Sequence, residues 1–166
     1  YLKVHKSKEE GGFWTEEQAS VLNRKIYLPR GKTLGGSSST NAMAYVRGNA
    51  ADYDGWAALG NSGWSYKEVL PFFKRSENHA QVDMMDKGYH GDSGELGVTL
   101  PTRFKTPFVS GFIAACAAIG IPPTTDYNGA KQEGASVVHS TIENGKRASG
   151  ATAFLKPVLK RSNLTT

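Results

Sequence analysis

Residues 30–48 read RGKTLGGSSSTNAMAYVRG and carry the most specific pattern in the chain. Gly35 and Gly36 have no side chains, so the backbone there can approach a flat or phosphorylated ligand closely. Three serines follow and are expected at the start of a helix over residues 41–46, where N–H groups and the helix dipole favour anions. Asn41 offers a donor and an acceptor for a heteroaromatic edge. From the residues alone, a loop that caps a helix and a cofactor cradle are equally supported.

The composition is typical of a folded protein of one domain. The chain has 166 residues, of which 39% are hydrophobic and 21% charged, so disordered and collagen-like classes are excluded. No apolar run reaches the ~20 residues of a membrane-spanning helix. The single cysteine, Cys116, excludes an internal disulfide and favours a reducing, cytoplasmic location. Because the chain starts with Tyr1 and stops at a strand-like Leu164-Thr165, we expect a segment of a larger protein.

The charge pattern argues against nucleic acid as a partner. Twenty basic and fifteen acidic residues give a net charge of +5. The basic residues occur singly or in pairs and form no stripe with interleaved aromatic residues. Four histidines lie too far apart in the sequence to form a metal-ligand pair at helical spacing. Cys116 lies on an apolar face and is interpreted as an inert thiol.

Periodicity and capping residues predict several helices and two strands. Residues up to Arg30 are expected to be irregular. Helices are predicted over 41–46, over 49–59, after the capping box Ser65-x-x-Glu68 with a kink or break at Pro71, over 107–119 between Thr106 and Gly120, and over 151–159. Strands are predicted near residues 95–99 and 136–142, the second ending at the turn dipeptide Asn144-Gly145. The chain is therefore predicted to mix helix and strand.

Residues 31–54 resemble the first signature of the glucose–methanol–choline (GMC) oxidoreductases, which are FAD-dependent enzymes that oxidise alcohols. The positions that fit are Gly31, Lys32, Leu34, Gly35, Gly36, Ser37, Ser38, Asn41, Tyr45, Gly48 and Asp54. Thr40 departs from the aliphatic residue of the family pattern. Further runs that are similar to the choline and alcohol dehydrogenase branch lie at 52–56, 63–66, 89–91, 126–129 and 144–149.

The resemblance implies the fold class and the domain organisation. It implies a mixed α/β (α+β) chain that contributes part of an FAD-binding domain and part of a substrate domain built on an antiparallel sheet. Residues 1–166 would form the N-terminal region of such an enzyme, with the flavin-loop segment at about 25–60 and substrate-domain elements at about 90–145. The segment is expected to fold poorly alone, because it lacks the parallel sheet on which its flavin loop would pack.

The resemblance also assigns site residues. The residues expected against FAD or in its immediate shell are Thr33, Gly35, Gly36, Ser37, Asn41, Ala42, Met43 and Ala44. Some family members link FAD covalently through a histidine at the position of Leu28, so the flavin here is expected to be non-covalent. No histidine matches the family's catalytic pair, so no catalytic residue and no metal ligand is assigned.

The function implied is hydride transfer from a small-molecule alcohol to FAD in the full-length parent, with this segment alone inactive. The electron acceptor is not identified by the sequence. Two alternatives remain open at this point. One is a small basic module that binds an anion through residues 31–39 without redox activity, and the other is a lyase or photoenzyme on the same scaffold.

Overall fold

The computed structural model describes residues 7–101 and 106–166. The chain divides into two compact units. The first unit contains the residues up to Met43 together with Arg147–Thr166, and the second is Ala44–Lys146. Helices and strands are mixed, as the sequence predicted. Residues 102–105 lie outside the described part of the chain.

The first unit begins with an antiparallel strand pair that the sequence did not predict. Strand β1 (Glu10–Trp14) pairs with β2 (Tyr27–Gly31), and Gly12 lies opposite Pro29. The rings of Trp14 and Tyr27 lie 5.2 Å apart across the pair. The expectation of irregular structure up to Arg30 is therefore wrong, because a two-stranded ladder tolerates a proline that donates no hydrogen bond.

Helical structure in the first unit is short and irregular. A 3₁₀ turn at Gly36–Ser39 follows β2, and the helix predicted over 41–46 does not form. Met43 has φ 65°, which a right-handed helix does not accept. Near the C-terminus a π-helical turn at Ala151–Leu155 passes into a 3₁₀ turn at Lys156–Val158. The regular helix predicted over 151–159 is thus wrong in type, since Pro157 cannot donate the next backbone hydrogen bond.

The second unit contains the regular helices, which are α1 (Ala50–Ala58), α2 (Tyr66–Ser76) and α3 (Pro107–Ala118). Helix α2 begins at the predicted capping box of Ser65, and α1 begins after the predicted cap Asn49, which the structure shows to be a capping box as well. Thr106 caps α3, and Gly120 follows its end with φ 89°. Helix α2 continues through Pro71, so the predicted break is absent there.

Short strands complete the second unit. Strand β3 (Glu77–His79) pairs in parallel with β4 (Leu96–Val98), which confirms the strand predicted near 95–99. The segment predicted as a strand over 136–142 is a strand only at its last residue, Ile142, and otherwise contributes bridges at Ser140, which exchanges backbone hydrogen bonds of 2.9 and 2.8 Å with Thr99. Strands β5 (Ile142–Glu143) and β6 (Lys146–Arg147) flank the predicted turn, and the second unit ends within β6, at Lys146.

Apolar burial within the described ranges is limited to small side chains and one valine. These are Val98, Ala135, Ala148 and Ala151. Large apolar side chains of α3 are exposed instead, with Phe108 at 87%, Phe112 at 68% and Ile119 beyond the helix end at 76%. Among residues 7–101 and 106–166, no helix combines the length and apolar character needed to cross a membrane.

Candidate functional site

The glycine- and serine-rich loop of the first unit, residues 31–43, folds back on the strand that precedes it. The Gly31 N–H at the end of β2 donates to Ser37 Oγ at 3.1 Å. A Cβ on Gly31 would collide with the backbone of Gly36 and Ser37. Glycine at position 31 is therefore required for the loop to close on itself.

The two central glycines of the loop have different roles. Gly35 has φ 87°, and a Cβ there would lie 2.5 Å from Ser39 Oγ and 2.9 Å from Ala151 N. Gly36 has φ 56°, and a Cβ there would meet no described atom within 4 Å. Packing within the unit thus explains Gly35, whereas Gly36 combines left-handed backbone with open space on its Cα.

The serine hydroxyls hold the loop together. Ser38 Oγ donates to the Gly35 carbonyl and accepts from Gly150 N at 2.8 Å. Ser39 Oγ donates to Leu34 O at 2.7 Å. Ser37 Oγ accepts from Gly31 N–H, and its hydroxyl proton is not donated to any residue that the structure describes. The sequence predicted that these serines precede a helix over 41–46. That helix does not form, and the serines lie in the 3₁₀ turn Gly36–Ser39.

Asn41 is fixed by a residue that the sequence reasoning did not single out. Its Oδ1 accepts from Met43 N at 3.0 Å and from Arg147 Nη1 at 2.8 Å. The same Nη1 donates to Ser38 O at 3.2 Å. Arg147 is 106 positions from Asn41, so no local pattern joins them. The only sequence signal was its place in the run 144–149.

The predicted site residues up to position 43 lie on one continuous loop of the first unit. Thr33, Asn41 and Ala42 are exposed, and Met43 is half-buried with positive φ. Ala44 is the first residue of the second unit, where its backbone bridges to Ser140. The loop therefore presents polar and backbone groups to solvent around Gly36.

The second unit contains a buried network of charged side chains that the sequence reasoning missed. Arg47 Nη2 lies 2.9 Å from Glu77 Oε2, and both side chains are buried. His90 Nδ1 lies 3.0 Å from Glu77 Oε1, and His90 Nε2 lies 3.0 Å from Asp126 Oδ2. Two cationic and two anionic groups thus alternate, so each buried charge has an opposite neighbour.

The network sets the charge state of its members. Burial opposes a charge on His90, but hydrogen bonds to Asp126 and Glu77 outweigh it and raise the pKa of His90 to about 9. Burial likewise opposes charge on Glu77, yet the bonds from His90 and Gly91 N–H and the charge of Arg47 lower the pKa of Glu77. The pKa of Asp126 is lowered against burial by its bond to His90. His90 is therefore a cation at neutral pH.

Two further histidines beside this network are neutral. Burial lowers the pKa of His79 to about 4 and also lowers the pKa of His139. Gln81 N donates to His79 Nδ1 at 3.1 Å, so the proton of His79 is on Nε2, which lies 3.2 Å from His139 Nδ1. His139 Nε2 then faces Thr125 O at 3.4 Å. One tautomer of each ring satisfies all three contacts.

The buried charged side chains and the two neutral histidines have their polar contacts with one another and with the backbone. In the part of the chain that the structure describes, no group of three or more His, Cys, Asp or Glu side chains is arranged to hold a metal ion.

Arg47 Nε is buried without a hydrogen-bond partner among the described residues. The Arg47 guanidinium carbon lies 5.4 Å from the centre of the Phe73 ring, which compensates part of its desolvation.

Fold, loop and sequence comparison together define the class of protein. The sequence profile of the GMC oxidoreductase family matches residues 10–166. The chain belongs to the GMC oxidoreductase family.

Among curated relatives, the chain is 46% identical over 153 residues to the oxygen-dependent choline dehydrogenases of Rhizobium johnstonii and Brucella anthropi. These matches cover 92% of this chain and 27% of each relative. The chain therefore spans about a quarter of the length of these relatives.

Two solved structures superpose on most of this chain. Pyridoxine 4-oxidase from Mesorbium loti superposes with a TM-score of 0.82 at 32% identity, over 96% of this chain and 31% of that protein. An FAD-dependent oxidoreductase from Chaetomium thermophilum superposes with a TM-score of 0.83 at 28% identity, over 94% and 28% of the two chains.

The loop combines open space at Gly36 with polar and charged groups. Gly36 leaves room for close approach to the backbone, and the exposed Thr33 and Asn41 provide polar groups beside it. Arg147 adds a fixed positive charge next to the loop. These features suit an anionic, flat ligand such as FAD.

Proposed function

We propose that the full-length protein is an FAD-dependent oxidoreductase that acts on CH–OH groups of a small-molecule alcohol, of the choline or alcohol dehydrogenase type. The observation that carries the proposal is the geometry of Gly36. This residue lies within the family signature, has a positive φ, and has no described atom within 4 Å of the position that a Cβ would occupy. Membership of the GMC family and similarity to choline dehydrogenases support it.

The proposed cofactor residues are Thr33, Gly35, Gly36, Ser37, Asn41, Ala42 and Met43 of the loop, and Ala44, which follows it in the sequence. When bound, FAD supplies the acceptor for a hydride from the alcohol carbon. Within the loop, Gly36 permits close approach, and Gly35 keeps the turn packed against Ala151. Ser37 offers a hydroxyl proton, and Asn41 offers its amide. The role of these groups is to bind and orient, which lowers the entropic cost of the reaction.

The cofactor is proposed to be non-covalent. Leu28, at the position from which some family members link the flavin, lies in β2 with an aliphatic side chain and offers no nucleophile.

We also propose that residues of about 25–60 form the flavin-loop segment and that residues of about 90–145 contribute to the substrate domain. The single cysteine supports a reducing compartment such as the cytoplasm.

No catalytic base is proposed within this chain. His79, His90 and His139 are buried, and each has hydrogen-bond partners inside the second unit. A base must reach the hydroxyl proton of a bound alcohol. We propose that the base lies in another part of the full-length protein.

The test uses the full-length protein purified under native conditions. The proposal expects a yellow protein with a flavin absorption spectrum, release of free FAD on acid precipitation, and bleaching by a small panel of primary alcohols that includes choline. Flavin that stays with the acid precipitate would contradict the non-covalent assignment. A colourless protein that binds phosphate ligands in a salt-sensitive manner would favour an anion-binding module instead.

A further inference from the structure

The hydrogen bonds of Asn41 determine which side of its amide faces outward. Both groups that contact its Oδ1, the backbone N–H of Met43 and the guanidinium of Arg147, can only donate. The contacted atom must therefore be the oxygen, and the amide cannot be flipped without placing donors against donors. Its two acceptor sites have these two partners, so Asn41 is left with its NH₂ group for an external ligand.

Arg147 is well placed to keep this orientation. Its guanidinium also donates to Ser38 O, so it joins the loop backbone and the Asn41 side chain. The next residues, Ala148 and Ser149, are buried, and Gly150 N donates to Ser38 Oγ. The arginine therefore projects from a segment that is itself bonded to the loop. Bidentate or bridging arginine contacts of this kind give directional as well as electrostatic restraint.

We propose that Arg147 is a positioning residue of the cofactor loop, which holds Oδ1 of Asn41 so that the Asn41 NH₂ donates to an acceptor atom of the bound flavin nucleotide. The inference rests on the proposed flavin function. It adds to that proposal that Asn41 is the hydrogen-bond donor, and the flavin nucleotide the acceptor, in their contact. It also changes the interpretation of Asn41, which sequence reasoning treated as both donor and acceptor.

The experiment compares variants of the full-length protein by FAD dissociation constant and by flavin reduction potential. Arg147→Ala and Asn41→Ala are each expected to weaken FAD binding about tenfold, which corresponds to one lost hydrogen bond to a charged or well-ordered group. The double variant is expected to be no weaker than Asn41→Ala, because Arg147 acts through Asn41. Arg147→Lys keeps a donor and is expected to recover part of the affinity.

Asn41→Asp separates positioning from local stability. A carboxylate still accepts from Arg147 and Met43, so the loop contacts are retained, but the NH₂ donor is lost. The inference expects Asn41→Asp to weaken FAD binding at least as much as Asn41→Ala and to lower the flavin reduction potential, since an anion near the flavin disfavours added electrons. This variant remains informative if Arg147→Ala does not fold.

Lys146→Ala is the matched control, since it removes an exposed positive charge one residue away. It is expected to change FAD affinity less than twofold. A yellow wild-type protein in which Arg147→Ala or Asn41→Asp binds FAD like the wild type would overturn the inference alone. A colourless wild-type protein would overturn the proposed function and this inference with it. Additive losses in the double variant would show that Arg147 acts by its own charge, against the inference.

Discussion

His90 Nδ1 lies 3.0 Å from Glu77 Oε1, and both side chains are fully buried. The opposite nitrogen of the ring contacts Asp126, so one imidazolium ties two carboxylates together inside the second unit. Arg47 contacts the same Glu77. This arrangement makes the stability of the second unit depend on the proton of His90.

Substituting His90 with Gln tests that dependence. The folded pKa of about 9 lies above the ordinary value of 6.5. The stabilisation is therefore fully present below pH about 6.5 and is lost as pH rises through about 9, with a total of roughly 3 kcal/mol. His90→Gln should lower hydrogen-exchange protection of residues 77–91 in the full-length protein at pH 6.5, and the difference from wild type should narrow toward pH 9. A difference that does not vary with pH would contradict the assigned charge.

His79 is predicted to make the stability of the second unit fall at acid pH, whereas His90 makes it fall at alkaline pH. Burial lowers its pKa to about 4, and Glu77, His139, His90 and Asp126 are the titratable groups around it. A depressed histidine pKa means that stabilisation is present above pH about 6.5 and is lost as pH falls toward about 4. His79→Gln keeps a donor and an acceptor without a titrating ring, so protection of residues 77–91 should fall less steeply between pH 6.5 and 4. An unchanged acid slope would show that the carboxylates alone control it.

Helix α3 leads to a prediction about the 166-residue chain in isolation. Phe108 and Phe112 of this helix are exposed. Among the described residues, only Val98 and three alanines are buried apolar side chains, so hydrophobic burial stabilises the chain little. We expect the isolated chain without flavin to bind a dye for apolar surfaces and to melt without a cooperative transition. A sharp calorimetric transition would refute this expectation.

Gly35 is predicted to be needed for the loop itself. An alanine Cβ there would meet Ser39 Oγ and Ala151 in addition to requiring a positive φ. Gly35→Ala in the full-length protein should therefore lower the thermal midpoint by several degrees as well as weaken FAD retention. An unaltered midpoint would show that the segment at Ala151 does not pack on the loop as described.

Local signals in the sequence were sufficient to predict where the helices of the second unit begin. The cap at Asn49 and the capping box Ser65-x-x-Glu68 involve residues close together in the sequence, so both can be recognised without the fold. The helix over 41–46 failed because Met43 adopts positive φ, which apolar periodicity does not reveal. The pair β1–β2 was missed because pairing across an intervening segment is not encoded in either strand alone.

The candidate site was predictable in part for the same reason. The loop residues are contiguous in the sequence, so a sequence signature could identify them. Their contact with FAD stays a prediction. Arg147 and the Arg47–Glu77–His90 network join residues far apart in sequence, such as the 30 positions between Arg47 and Glu77. Only the fold brings such side chains together, and dispersed histidines therefore looked unrelated.

Gly36→Ala in the full-length protein, with Gly63→Ala as its control, tests the central claim most directly. Both glycines have positive φ and no described atom within 4 Å of an added Cβ, so the backbone cost of about 1–2 kcal/mol is matched. Only Gly36 lies in the loop. We predict that the visible spectrum of purified Gly63→Ala retains full flavin absorbance, whereas Gly36→Ala loses most of its FAD. Equal flavin content in the two variants would contradict the account.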